Sequence, residues 1–431
     1  MTAIWADAML TPTGPVAEAE LVFDSEGRIE YAGPQRPGST PTHDLAGHVL
    51  MPGLVNGHTH SAMTLLRGAS DDDGFMPWLA AVQAAEQHLT RDDVAAGLQL
   101  AMLEMIETGT TAFADMYHWD AGLLELVRAA GMRVLAAPAV FTDEAVGFPG
   151  VSPWTGAEVL DATEALAERF AADPHIRLAY GPHAPYTTPP EQLRAIAGRS
   201  RRTGIPIHIH VSESAAEVAD MIERYGATPA MHLESLGLFE TDVLAAHCVH
   251  LSPEEIAVFA RTGTAASHNP VSNLKLGCGV APLPELLEAG VRLTLGTDSV
   301  ASNNSLDLFE EIKLATILHR GVRGDAAAVR ASDVLDIATR GGAEAIGFPE
   351  TGALEPGRLA DVIALDVTGA GAIPHPSLVS HLAFSARGSD VRHVFIGGRH
   401  VYANGDHLTL DAVDVRARAA AAAERMRAAS L

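Results

Sequence analysis

The sequence predicts an α/β chain: a (β/α)8 TIM-type barrel beside a small β-sandwich domain that the two chain ends build together. Three observations carry this. Between residues 52 and 353, eight short apolar runs alternate with longer helix-like stretches, the sequence form of a parallel barrel. Those runs end repeatedly in His or Asp, and barrels of this kind place their active sites at the C-terminal ends of the strands. The flanking stretches, 1–51 and 354–431, consist instead of short segments punctuated by Gly and Pro, which reads as β-structure with tight turns.

The opening stretch holds strand-like pieces such as Leu21-Val22-Phe23 and Arg28 to Ala32, separated by Gly27 and Gly33-Pro34. Nothing in it suggests chemistry; His43 and His48 stand apart and read as surface or turn residues. The eight barrel strands are expected at 54–58, 110–115, 133–138, 176–183, 205–210, 243–247, 264–268 and 291–298. Helices are expected between them, among others at 91–108, 157–172, 191–203 and 284–289. After residue 354, Gly357 to Leu365 reads as a turn entering a buried strand, and Val391 to Arg399 as a hairpin with a Gly-Gly turn. The alanine-rich tail, 411–430, reads as a terminal helix.

Composition excludes several classes of function. The chain has 431 residues, is 47% hydrophobic and carries a formal charge of -25. An acidic surface repels nucleic acid and anionic membranes, so neither is an expected partner. Cys248 and Cys278 are the only cysteines, too few for a disulfide framework, which points to a reducing compartment. There is no basic, apolar leader at the N-terminus and no apolar run of about 18 residues. A soluble cytoplasmic protein is the expectation.

The chemistry gathers at the strand ends. In Gly57-His58-Thr59-His60 the two histidines are two apart, so on an extended strand both imidazoles face the same way. The run His208-Ile209-His210-Val211-Ser212-Glu213 offers a third histidine and an acid. Spacing alone leaves His208 and His210 as alternatives; His210 is favoured as nearer the strand end. His247 and Asp298 end two further strands, and a buried aspartate is costly unless paired or bound to a cation. His183 lies on the rigid loop Gly181-Pro182-His183-Ala184-Pro185. Three histidines and an aspartate suit one divalent ion, Zn(II) with Fe(II) as the alternative. Such an ion lowers the pKa of bound water from about 15.7 to about 7. Glu213 is then placed for general acid/base work. A two-metal site would need a bridging modified lysine, and neither Lys275 nor Lys313 ends a strand.

These stretches resemble the amidohydrolase superfamily, and within it the 5'-methylthioadenosine/S-adenosylhomocysteine deaminase family. The resemblance rests on Pro52 to His60, Ala245 to Leu251, Ser267 to Gly277 and Leu295 to Leu306, and it extends over nearly the whole chain. It implies a barrel flanked by a composite sandwich. It implies His58, His60, His210 and Asp298 as metal ligands, His247 as a catalytic group beside the water, Glu213 as proton shuttle and His183 as a purine contact. It implies that Glu86, in Glu86-Gln87-His88-Leu89-Thr90, binds the ribose diol. The implied reaction replaces the 6-amino group of an adenine-type nucleoside by oxygen and releases ammonia. A homo-oligomer is compatible with it.

One departure bears on the substrate. Relatives that accept S-adenosylhomocysteine resemble one another in arginines after the third strand, whereas here no Arg or Lys occurs from Val134 to Glu168. Arginine suits bidentate carboxylate binding. Its absence points to a nucleoside with an uncharged 5' group, such as 5'-methylthioadenosine, 5'-deoxyadenosine or adenosine. The rival readings are guanine or pterin deamination, chlorotriazine hydrolysis, and a non-enzymatic scaffold.

Overall fold

The computed structural model describes residues 1–429. Eight parallel strands form a barrel: Leu54–Thr59, Thr110–Tyr117, Arg133–Val140, Ile176–Leu178, Ile207–Val211, Val243–His247, Ala265–His268 and Arg292–Leu295. The eighth pairs with the first through Leu295 and Asn56, and a bridge from Tyr180 to Ile207 joins the fourth to the fifth. The first three strands are buried along their whole length. Parallel strands covered on both faces carry near-continuous apolar runs, which is why their sequence signal is strong.

Two strands are shorter than the apolar runs suggest. The fourth stops at Leu178 and resumes for Gly181–Pro182, which pair with Ala139 and Val140. Gly181 passes so close to the third strand that an added Cβ would lie 2.7 Å from the Pro138 carbonyl oxygen. The eighth stops at Leu295. Gly296 packs against His58 N and Asn269, and the chain then turns so that Asp298 adopts a φ of 58°.

The expected helices form at Arg91–Glu107, Gly156–Arg169, Pro190–Thr203 and Leu283–Glu288. Capping boxes begin the first two: Thr90 with Asp93, and Thr155 with Glu158. Each satisfies otherwise orphaned N–H groups. The tail helix is Ala412–Ala429; residue 430 of the expected span lies outside the described residues. One further helix, Phe75–Glu86, had no clear sequence signal. It lies at the barrel mouth, buries Trp78 and Val82, and is held where Trp78 Nε1 donates to the Ala301 carbonyl at 3.0 Å.

The chain ends build the second unit. Thr2–Thr11, Gly14–Phe23, Ile29–Pro34 and His43–Pro52 join Val362–Asp366, Val391–Ile396, Arg399–Ala403 and Asp406–His407. The join is the antiparallel ladder between His43–Pro52 and Val362–Asp366. One continuous eight-stranded sheet results. It curls over until Arg28 bridges Leu359 and Gly27 abuts the Gly397 carbonyl. The curl encloses its own core of Ile4, Leu21, Phe23, Leu50, Val362 and Phe395. Gly397 and Gly398 both have positive φ, as the tight hairpin turn requires.

A buried ion pair locks this sheet to the barrel floor. Arg133 Nε and Nη2 donate to the two carboxylate oxygens of Asp361 at 2.8 and 3.0 Å. Asp361 also accepts from Gly397 N at 2.6 Å. No helix among the described residues is long and apolar enough to cross a membrane.

Candidate active site

At the C-terminal ends of the strands, three histidines each have one ring nitrogen fixed and the other free. His60 Nδ1 lies 2.6 Å from the Met116 carbonyl oxygen, and His210 Nδ1 lies 2.7 Å from that of His183. A carbonyl oxygen only accepts, so in the neutral ring Nδ1 carries the proton and Nε2 has the lone pair. His58 is set through a relay. His208 Nδ1 faces the Leu244 carbonyl at 3.1 Å, which makes His208 Nε2 the acceptor for His58 Nδ1 at 2.9 Å. His58 Nε2 is buried with no hydrogen-bond partner. Thus His210 joins His58 and His60, while His208 stands behind His58 and orients it.

Asp298 completes the group. Its Oδ1 lies 3.4 Å from His58 Nε2 and 3.3 Å from His60 Nε2. Its Oδ2 accepts from the Ser272 and Ser302 hydroxyls at 2.6 and 2.8 Å. Burial opposes the carboxylate's charge, but the adjoining His58 and His60 rings outweigh it and hold Asp298 well below its usual range. Burial pushes His58 down to about 3 and His210 well below its usual value. Burial also opposes a charge on His60, yet the adjoining Asp298 lifts it to about 8. The Nε2 atoms of His58, His60 and His210 and Oδ1 of Asp298 converge on one another, a nitrogen and oxygen donor set that suits a divalent cation.

The proton-handling groups adjoin this set. Glu213 carries a carboxyl that burial, then the charges of Asp298 and Glu217, push well above its usual range. Its backbone is fixed by Glu217, whose two oxygens accept from Ser212 N at 3.1 Å and Glu213 N at 2.7 Å. His247 Nδ1 lies 2.9 Å from Asn273 Oδ1 and 3.7 Å from Glu213 Oε1. Asn273 therefore leaves His247 Nε2 as a proton acceptor. Ser212, His247 and Asp298 all have positive φ, a conformation costly for non-glycine residues and found preferentially at functional sites.

A cavity opens above these groups, about 680 Å³ including its mouth. Its floor holds His60, His210, Glu213, His247 and Asp298, and one wall carries His183, Phe141 and Tyr186. His183 Nδ1 contacts Thr187 Oγ1 at 3.0 Å, and burial holds the ring down at about 3, hence neutral. The opposite wall is the helix Phe75–Glu86, with Phe75, Leu79 and Val82. Glu86 closes it and accepts from the Tyr117 hydroxyl at 2.6 Å; burial raises its carboxyl to about 7. Among the described residues no Lys or Arg lines this cavity.

All the site residues expected from sequence thus converge, Glu86 from the element that sequence did not foresee. Other strand-end candidates serve the frame. Asp115 accepts from Ser61 N at 2.5 Å and Trp119 Nε1 at 3.0 Å. His268 turns to His319, with Nε2 atoms 3.2 Å apart, and His250 Nε2 meets the Cys278 carbonyl at 2.8 Å. Cys248 and Cys278 are free and buried. Sequence reasoning missed Asn273, Ser272, Ser302 and Glu217. Ser272 and Asn273 lie within the motif Ser267 to Gly277 and Ser302 within Leu295 to Leu306, which was the available signal for three of them.

Comparison with known proteins bears on this geometry. The amidohydrolase family model matches residues 49–401. The chain belongs to the amidohydrolase family. This amidohydrolase is 42% identical over 418 residues to the 5-methylthioadenosine/S-adenosylhomocysteine deaminase of Syntrophobacter fumaroxidans, covering 95% of this chain and 94% of that one. It is 41% identical over 424 residues to the 5'-deoxyadenosine deaminase of Methanosarcina acetivorans, covering 96% and 94%. A crystal structure of an adenosine deaminase from Xanthomonas campestris with bound zinc superposes with a TM-score of 0.94 at 32% identity, over 99% of this chain and 98% of that one. Atrazine chlorohydrolase from Arthrobacter aurescens shares the fold, with a TM-score of 0.88 at 24% identity over 98% and 100%. The adenosine deaminase structure holds zinc, and the groups His58-His60-His210 and His58-His247-Asp298 here support a divalent-metal site in this amidohydrolase.

Proposed function

We propose that this amidohydrolase deaminates adenine nucleosides with an uncharged 5' group (5'-methylthioadenosine, 5'-deoxyadenosine or adenosine) and disfavours S-adenosylhomocysteine. The observation that carries the reading is the cavity's polarity. Its lining brings the metal-competent groups and Glu213 together with Glu86 and a set of apolar side chains, with no cation among the described lining residues. That arrangement suits a base at the floor, a ribose diol at Glu86 and an apolar 5' substituent along the wall. The names of the deaminase relatives support adenine nucleosides as the substrate class; one of them also names S-adenosylhomocysteine, so the 5' preference rests on the cavity alone.

His58, His60, His210 and Asp298 would hold the ion, zinc in this reading with Fe(II) as the alternative. When bound, it lowers the pKa of water so that a nucleophile is available at neutral pH. His183 contacts the purine, and its neutral ring can donate or accept. Glu213 takes the water's proton as the oxygen adds at C6 and delivers it to the adjacent ring nitrogen. The raised affinity of Glu213 for protons suits this delivery. His247, with Nδ1–H on Asn273, orients the water through Nε2 and works with Asp298 in passing the second proton to the 6-amino group. The C6–N bond then breaks, and ammonia and an inosine-type product leave.

Residues 52–353 form the hydrolase barrel in this reading, and 1–51 with 354–431 the composite sandwich domain. Two free thiols fit a cytoplasmic enzyme. The test is ammonia release from a panel of 5'-modified adenosines, S-adenosylhomocysteine, guanine, a pterin and a chlorotriazine, with metal content assayed. The 5'-uncharged adenosines should lead in kcat/KM. Glu86→Ala should cost nucleosides far more than free bases. A best rate on S-adenosylhomocysteine sinks the 5' argument, and activity confined to free bases or triazines sinks the nucleoside reading.

A further inference from the structure

His43 and His48 do not stand apart as their sequence positions suggest. They meet His393 and His400 on the curled sheet, away from the barrel mouth. Ring centroids are 5.5 Å apart for His43 and His400, 5.4 Å for His393 and His400, and 5.7 Å for His48 and His393. His393 Nδ1 and His400 Nε2 lie 3.3 Å apart. His60 Nε2 and His210 Nε2 show the same 3.3 Å separation in the barrel. Two imidazole nitrogens on one tetrahedral ion at about 2.0–2.1 Å are roughly 3.3 Å apart.

The surroundings prepare these rings as ligands. His400 stacks on Phe395 with centroids 4.1 Å apart and an interplanar angle of 11°, and His43 meets the same ring at 5.3 Å. Burial, then the neighbouring His400, His48 and His43, hold His393 down at about 4. Burial likewise lowers His43 and His400. His43 lies beyond the ladder of His48 to Pro52 that joins the chain halves, so an ion here would add a second link between them.

We propose that His393 and His400, with His43 turning in as third ligand, form a second site for a nitrogen-preferring divalent ion such as zinc, nickel or copper. The site is separate from the barrel and ties the C-terminal hairpin to the N-terminal strands. The competing account is a simple N–H···N hydrogen bond between His393 and His400.

The test uses the full chain without an affinity tag, loaded with one equivalent of zinc at the barrel. Zinc is added, excess is removed, and metal per chain is assayed. A second equivalent is expected to remain, and to be lost in His393→Gln and His400→Gln while the first equivalent and the deamination rate persist. A wild-type chain that stays at one equivalent overturns the proposal, as does a second equivalent that both variants retain. Should the variants fail to fold, copper(II) added to the zinc-loaded wild type decides by electron paramagnetic resonance. Two or three imidazole nitrogens on the copper support the site, and none or one overturns it.

Discussion

In the proposed reading Glu86 holds the ribose diol, a task that depends on its burial. Only the ionised form offers both oxygens to a ribose diol, and burial raises its proton affinity until it titrates at about 7. Nucleoside KM should therefore rise as pH falls through 7, with kcat less affected, and Glu86→Gln should flatten the KM profile while raising it throughout. The stability sign is opposite to that of a salt-bridged acid. A carboxyl whose folded value exceeds its ordinary 4.5 holds extra protons in the folded state, so stability falls as pH rises from 4.5 to 7. Glu86→Gln should remove that fall, which urea midpoints at pH 5 and pH 8 would reveal as a smaller difference than in the wild type. Glu213→Gln should lower kcat by about 10²–10⁴ while metal content is unchanged, since general acid/base groups contribute about that much; an unaltered kcat would remove Glu213 from the proton path. His58, His60, His247 and Asp298 were legible because their residue types are the chemistry. Asn273, Glu217 and the relay through His208 were not, because an amide or acid that orients another group looks in sequence like any polar residue.

Among the elements, the barrel strands were legible because burial on both faces demands unbroken apolar runs. Their ends were less so: close approach at Gly181 and the turn at Gly296 shorten two strands, and neither contact is local in sequence. The helix Phe75–Glu86 is weakly marked in sequence: Phe75, Trp78, Leu79 and Val82 recur at helical spacing, but Met76, Pro77 and four alanines blur the opposite face and Gly74 supplies no capping side chain. The continuity of the curled sheet depends on pairing Leu50 with Ala364, which no local pattern can display. What holds that sheet to the barrel gives a prediction at this scale. Arg133 and Asp361 are both buried and bidentate, so Asp361→Ala would strand a buried guanidinium. Breaking one side of such a pair costs about 3–5 kcal/mol. Chemical denaturation should show a loss of that order, with zinc content and KM retained in the folded fraction. A change below about 1 kcal/mol, the value of an exposed pair, would mean that water reaches Arg133.

For the whole molecule, the metal site exists only when distant strands are assembled. His58 and His60 end the first strand, His210 the fifth, and Asp298 follows the eighth. An ion that binds only this assembly stabilises it by about 4.1 kcal/mol when its free concentration is 1,000 times Kd. Chelation should thus lower Tm as well as abolish activity, and zinc should restore both. The size of the Tm step should depend on pH through His60. In the metal-free fold Asp298 lifts His60 to about 8, above the ordinary 6.5. The stability this lends the metal-free fold is complete below 6.5 and is lost as pH rises through 8. An ion must displace that proton, because only the neutral imidazole ligates. The loaded enzyme therefore lacks this loss, and the Tm difference between loaded and metal-free protein should widen from pH 6.5 to 8. His58 and His210 titrate below that window, and Glu86 affects both forms alike, so the widening belongs to His60. Calorimetry of zinc uptake in buffers of different ionisation enthalpy measures the same proton: His60 contributes close to one at pH 7 and little at pH 9, on top of the proton that bound water gives up as pH rises through about 7. A release at pH 7 no larger than the water's share of about half a proton would mean that His60 is already neutral in the metal-free enzyme, and that Asp298 waits for the ion without a proton beside it.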